Sequence, residues 1–269
     1  MKSLAARRRR NTALLVVLAT ALLIACHLAT LALGRPVIYT GWLLLAMVIL
    51  LAGYNVRKRF AFLPLGSSAI WLQLHIYVGL LTIVVFGSHI AWHVPNGVFD
   101  VVMASLYVLV AGSGVLGLII SRVFARRMTA RGGEILFDRI PRRLGVLRRE
   151  VERLVLAGLR ETESTAISDF YQTRLQSFFF APRNMVMHLV HSQRPRQALL
   201  SEIEAQRRYL RDDEHALLGQ IADRVAQKDD LDYQFAHQAT LKYWLFLHVP
   251  LTYALLVFSA VHVVMVHAF

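Results

Sequence analysis

The chain is poor in cysteine and in acidic residues. Cys26 is the only cysteine among 269 residues. That excludes an intrachain disulfide, a C-x-x-C-H attachment site and an all-cysteine iron–sulfur cluster. Asp and Glu number 17 against 30 Lys and Arg, a formal charge of +13. Such a balance invites a nucleic-acid reading, but the arginines flank apolar runs, where they serve as topology signals and contacts for anionic lipid. No strand alternation, soluble repeat, phosphate-binding loop or nucleophile–base arrangement is visible. Gly112-Ser113-Gly114-Val115-Leu116-Gly117 matches the dinucleotide-binding glycine pattern literally. It follows no strand and lies inside an apolar run, so it reads as a small-residue packing face.

Long apolar runs are abundant. The chain is 56% apolar, and it holds several runs of about 20 residues, the length needed to cross the hydrocarbon. The expected fold is an all-α integral membrane protein. The first run, Thr12 to Leu33, follows the basic stretch Arg7 to Arg10. Leu23 to Cys26 resembles a lipoprotein cleavage box, but the run continues past Cys26, so an uncleaved span is expected. A turn at Gly34-Arg35-Pro36 leads to a second span, Val37 to Tyr54, which ends at Arg57-Lys58-Arg59. A loop at Pro64–Ser68 precedes the third span, Trp71 to Val94. After Pro95-Asn96-Gly97, the fourth runs from Val101 to Phe124 and closes with Arg122, Arg126, Arg127 and Arg131. The fifth is Lys242 to Phe269.

The basic clusters all fall on one side, which the excess of Lys and Arg marks as cytoplasmic. The N-terminus is then inside and the C-terminus outside, periplasmic in a bacterial inner membrane. Residues 1–124 hold four spans, 125–240 a cytoplasmic insertion and 241–269 the last span. Within the insertion, Leu144–Leu159, Ile167–Phe180 and Arg196–Gln227 carry helical apolar periodicity. They predict a helical hairpin or small bundle, with Gly132-Gly133 as a break. Phe178, Phe179 and Phe180 fit either the core of that bundle or the membrane surface.

Ionisable residues inside a span are costly and point to function. Span three carries His75 and His89; span five carries His248 and His262. Each pair is fourteen positions apart, close to four helical turns, so both members share a helix face roughly 21 Å apart. Both spans run outward, which places His75 and His248 near the inner side and His89 and His262 near the outer side. Topology came from arginines and pairing from histidines, yet both agree on depth. The pairs His75–His248 and His89–His262 are therefore expected to ligate two haems through imidazole. Gly79 and Gly87 are expected to make room for the macrocycles, or for close helix packing. His93 and His267 are weaker candidates for a third haem, a metal or contact with an external partner. His188 and His191 form a weak metal signal. Arg139, Arg142 and Arg143 are candidates for propionate contact, though a lipid-facing basic surface is the plainer reading.

With Leu74-His75, Ser88-His89, Leu247-His248 and Val261-His262, the third to fifth spans resemble transmembrane di-haem b-type cytochromes. These include cytochrome b of quinol-oxidising complexes and the membrane domain of ferric reductases. The resemblance implies two non-covalent b-type haems and electron transfer across the membrane. Two departures from those families are expected: the lack of a flavin and nicotinamide domain after the last span, and a helical insertion between the ligand helices. Donor and acceptor are expected among membrane quinone, a cytoplasmic-side partner and a periplasmic cytochrome or other redox protein, in a multi-subunit complex without nucleic acid. Two alternatives stand: a quinol-oxidising or metal-reducing enzyme with a pocket at one face, and a non-haem proton-coupled transporter or sensor.

Overall fold

The computed structural model describes residues 4–32, 36–59, 67–130, 135–162 and 165–268. In chain order its helices are α1 (Leu4–Ala32), α2 (Pro36–Arg59), α3 (Ser68–His89), α4 (Val98–Ala130), α5 (Ile140–Thr162), α6 (Ala166–Phe170), α7 (Gln176–Phe180), α8 (Met185–Leu189), α9 (Arg194–Gln206) and α10 (Asp212–Ala268). Among the described residues, α1 to α4 and α10 are long and apolar enough to cross a membrane. In hydrocarbon a helix satisfies each backbone group within its own segment, which is why these apolar runs adopt it. Many of their large side chains, Leu31, Val108, Leu109 and Val264 among them, are exposed, as a lipid-facing surface requires. The turn at Gly34-Arg35, most of the Pro64–Ser68 loop and the Gly132-Gly133 break lie outside the described residues.

The third span ends earlier than its apolar run. Ser67 caps α3, its hydroxyl accepting from the Ile70 N–H. The helix stops at His89, where the sequence alone continued it to Val94. Ala91 and Trp92 take left-handed φ of 49° and 59°, which costs a non-glycine residue about 1–2 kcal/mol. Two contacts hold this turn. The Trp92 N–H donates to the Gly87 carbonyl at 2.9 Å, and the Trp92 ring lies where a Gly87 Cβ would come within 2.6 Å of it. Gly87 thus receives the Trp92 indole against its bare α-carbon.

The chain forms two compact units, one of Met1–Ile119 with Trp244–Phe269 and one of Ile120–Tyr243. In the first, α2, α3, α4 and α10 meet in an apolar layer of Val48, Tyr107 and Leu255, packed by Phe86 and Val110. Phe86 and Tyr107 stack with centroids 3.9 Å apart. The Tyr107 hydroxyl donates to Thr82 at 3.0 Å, and Thr82 passes its own proton to the Gly79 carbonyl. A tyrosine can sit in this layer because its polar end is satisfied.

In the second unit, α5 buries Ile140, Leu144, Leu147, Val151 and Val155, a stripe at helical spacing, against Ile167, Leu175, Phe179, Ile203 and Ile221. A widened π turn, Tyr171–Leu175, links α6 to α7. Phe178 and Phe179 enter this core, whereas Phe180 is exposed. The expected single helix over 196–227 is broken: α9 ends at Gln206, a 3-10 turn follows, and α10 starts at Asp212. The new start is capped from one side: the buried Glu214 carboxylate accepts the Arg211 N–H at 2.9 Å, and the Glu214 N–H donates to the Arg211 carbonyl at 3.1 Å. From there α10 runs through Lys242 to Ala268, 57 residues with Pro250 inside them. The boundary expected near residue 240 is not a helix end.

Buried charge staples this unit. Lys228 donates to the Asp232 carboxylate and, at 3.0 Å, to the Ala181 carbonyl. Asp232 also accepts the Arg183 N–H. Burial pushes the Asp232 carboxyl up to about 6, although Lys228 opposes this, and burial lowers the Lys228 ammonium. The pair ties the segment after α7 to the face of α10.

Candidate functional site

The first unit brings the four span histidines together in two facing pairs. His75 on α3 faces His248 on α10, with ring centroids 6.4 Å apart and planes at 76°. His89 on α3 faces His262 on α10, again at 6.4 Å, with planes at 84°. All four are half-buried. The apolar layer of Val48, Phe86, Tyr107 and Leu255 lies at intermediate positions along the same helices.

In every case the rear nitrogen, Nδ1, is engaged by the scaffold. His75 Nδ1 lies 3.1 Å from the Leu51 carbonyl. A carbonyl only accepts, so Nδ1 carries the proton and Nε2 keeps its lone pair. His89 Nδ1 donates to the Val37 carbonyl at 3.1 Å and lies 3.2 Å from Thr40 Oγ1, whose own proton goes to Val37. His248 Nδ1 meets Ser113 Oγ at 2.7 Å. Ser113 donates to the Val110 carbonyl, so its oxygen accepts from the imidazole. His262 Nδ1 faces the Asp100 carboxylate at 3.5 Å. Metal-bound histidines are held in this way, the outer partner fixing tautomer and ring orientation.

The rings are braced as well. Tyr54 packs on His75 at 5.3 Å, Trp244 stacks on His248 at 5.2 Å and Phe99 lies parallel to His262 at 6.3 Å. Trp244 in turn donates its indole N–H to the Ser113 carbonyl at 2.8 Å. It fits because residue 117 is glycine: a Cβ there would fall 1.9 Å from the indole. Gly41 admits His89, since its Cβ would meet Cε1 at 2.9 Å, and Gly114 lies against His248 at 3.6 Å. The Gly112–Gly117 stretch is thus a small-residue face that receives Trp244 and His248.

The 6.4 Å centroid distance fits two arrangements, edge-on packing of the rings at about 4.5–7 Å or a metal ion held between them. Two metal–imidazole bonds of about 2 Å, with the distance from each nitrogen to its ring centre, place the centroids roughly 6.3 Å apart. A direct imidazole–imidazole hydrogen bond of about 2.9 Å would bring them to roughly 5.2 Å. Both pairs have the wider spacing. At the His89–His262 end the helices enclose a cavity of about 430 Å³, lined by Gly41, Phe86, Tyr107, Leu255 and both histidines. That volume falls within the range of cofactor pockets.

The weaker candidates sit on this cavity's wall. His93 follows the left-handed turn, so it is not one helical turn beyond His89, and it bonds the Ala91 carbonyl. His267 bonds the Val263 carbonyl and meets Trp42 edge-on at 5.7 Å. A Cβ added at Gly79 would meet the Leu51 side chain at 4.0 Å. In the second unit His188 is buried 3.7 Å from Asp229, and His191 lies beyond α8, where its Nδ1 meets the Tyr233 hydroxyl. Arg139, Arg142 and Arg143 are exposed at the start of α5. Sequence reasoning missed Thr40, Leu51, Asp100 and Ser113 as partners of the histidines. The available signal was depth: Asp100 and Ser113 are thirteen positions apart on one helix, nearly the spacing of the histidines they serve. The chain matches no protein-family profile, no curated protein and no solved structure.

Proposed function

We propose that this protein is a transmembrane b-type cytochrome subunit that carries electrons across the bilayer. His75 and His248 would hold an inner haem, and His89 and His262 an outer one. The observation that supports this most is the doubled geometry: two facing imidazole pairs at 6.4 Å, each ring held through Nδ1 by a group of a neighbouring helix. The donor set is all imidazole, a standard axial ligation for haem iron. Such haems supply reversible one-electron chemistry near each face of the membrane.

The chain's own residues do the positioning. Leu51, Ser113, Val37 with Thr40, and Asp100 orient the imidazoles. Tyr54, Trp244 and Phe99 keep the rings from rotating. The layer of Phe86, Tyr107, Val48 and Leu255 excludes water between the two levels. Basic clusters support a cytoplasmic N-terminus and insertion, with quinone or a cytoplasmic-side protein exchanging electrons at one face and a periplasmic redox protein at the other. A second reading keeps the same haems and adds a substrate pocket at the outer face. It is favoured by His93 and His267, both on the wall of the 430 Å³ cavity.

An absorption spectrum of the purified protein before and after dithionite tests the proposal. Two b-type haems per chain are expected; the absence of a Soret band overturns it. Haem reduction on adding a quinol analogue would favour the enzyme over the conduit.

A further inference from the structure

We propose that α8 is a membrane-surface anchor, its face of Val186, Met187 and Val190 seated in the headgroup zone of an anionic leaflet. Helices pack by burying their apolar side, and α8 does the reverse. Val186 is 70% exposed, Val190 66% and Met187 46%. The opposite side is the polar one: His188 is buried beside Asp229 and against the Tyr233 ring. Positions 186, 187 and 190 fall within about 100° of a helix circumference, so the three form one patch.

Two observations name the lipid surface as occupant. The first is position within the second unit. The Arg127 guanidinium, near the end of the spanning helix α4, donates to the Leu189 carbonyl at 2.8 Å. Arg127 lies five residues after Arg122, where the apolar part of that span closes. Five residues rise about 7.5 Å, the order of one headgroup layer. The α8 backbone is therefore held at the depth where α4 leaves the hydrocarbon. The second observation is charge. From Ala181 to Arg196 the chain carries Arg183, Arg194 and Arg196 and no acidic residue, with Arg196 paired to Asp230 at 3.3 Å and Arg183 and Arg194 exposed. Apolar side chains rimmed by arginine suit an anionic interface, each basic residue near it contributing about 1 kcal/mol. The unit would thereby be fixed against the leaflet through α8 as well as through α4 and α10.

The test uses the full chain in vesicles of mixed zwitterionic and anionic lipid. Nitroxide labels are placed singly at Val186→Cys, Met187→Cys and Val190→Cys, in a Cys26→Ala background, with Tyr209→Cys as an exposed reference. Collision rates with oxygen, which partitions into lipid, and with a water-soluble nickel chelate are compared. The expected result is a shift toward oxygen at all three α8 positions and toward nickel at Tyr209. Labels on α8 that match Tyr209 overturn the proposal. Labels shielded from both reagents also overturn it, since they indicate a protein partner. Val190→Trp, with Cys26 left in place, gives an independent reading: brominated lipid should quench the emission that the variant adds over the parent chain, and added emission that brominated lipid leaves unchanged contradicts the anchor.

Discussion

Replacing Gly41 with alanine should disable the outer site and leave the inner one working. A Cβ at residue 41 would lie 2.9 Å from Cε1 of His89, whereas carbon atoms pack at about 3.5–4.0 Å. The imidazole must retreat by roughly 0.6 Å or more. It cannot do so freely, because Val37 and Thr40 hold its Nδ1 and the ring faces His262. Disturbing the groups that orient a metal ligand typically costs 10–100-fold in affinity, so the outer haem should fall well below one per chain. Gly114→Ala is the matched control. Its Cβ would sit 3.6 Å from His248 Cε1, an ordinary contact, and both haems should remain. The assay is haem per chain by difference spectroscopy with a redox titration, using His89→Ala to identify the outer component. Retention of the inner haem in Gly41→Ala reports that the bundle has folded. If Gly41→Ala kept both haems unshifted while Gly114→Ala lost one, the reasoning from close approach would be refuted.

Four further outcomes are expected. Asp100 is the one charged group that an Nδ1 of the four histidines faces among the contacts described, so on the proposed reading Asp100→Asn should raise the potential of a haem at the outer pair; a tenfold change in the reduction equilibrium is 59 mV, read by potentiometric titration. Gly117→Ala should displace Trp244 from Ser113 and His248, broadening or weakening the inner haem's spectrum and not the outer's. Lys228→Met should destabilise the second unit by about 3–5 kcal/mol through the buried carboxylate left behind, and Lys228→Met with Asp232→Leu should recover much of that. Proteolysis between residues 181 and 191 reports it. In the folded chain the Asp232 carboxyl is raised by burial to about 6, so its contribution is complete below the unfolded value of about 4 and is lost as pH rises through 6. Thermal unfolding followed across that range should show the slope, and Asp232→Asn should flatten it.

What the sequence made legible was whatever obeys a period. Apolar runs of span length and fourteen-residue histidine spacing are one-dimensional signals, and the facing of His75 with His248 and His89 with His262 follows once two co-directional helices meet. The α5 stripe was legible for the same reason. Breaks were harder. Nothing in Ile90 to Val94 looks unlike a helix; it ends because Trp92 finds the bare α-carbon of Gly87, a contact visible only in three dimensions. Likewise α10 spans a composition shift near residue 240 because amphipathic and apolar patterns are both helical. The orienting groups on α2 and α4 were least legible. A threonine, a serine or a carbonyl in a span gains meaning only when a neighbouring helix presents an imidazole to it.

The central claim is tested most directly by counting haems across four single variants. His75→Ala and His248→Ala should each lose the same spectral component, and His89→Ala and His262→Ala the other, from a parent holding two haems per chain. A parent without haem, or His75→Ala and His262→Ala losing the same component, would contradict the account.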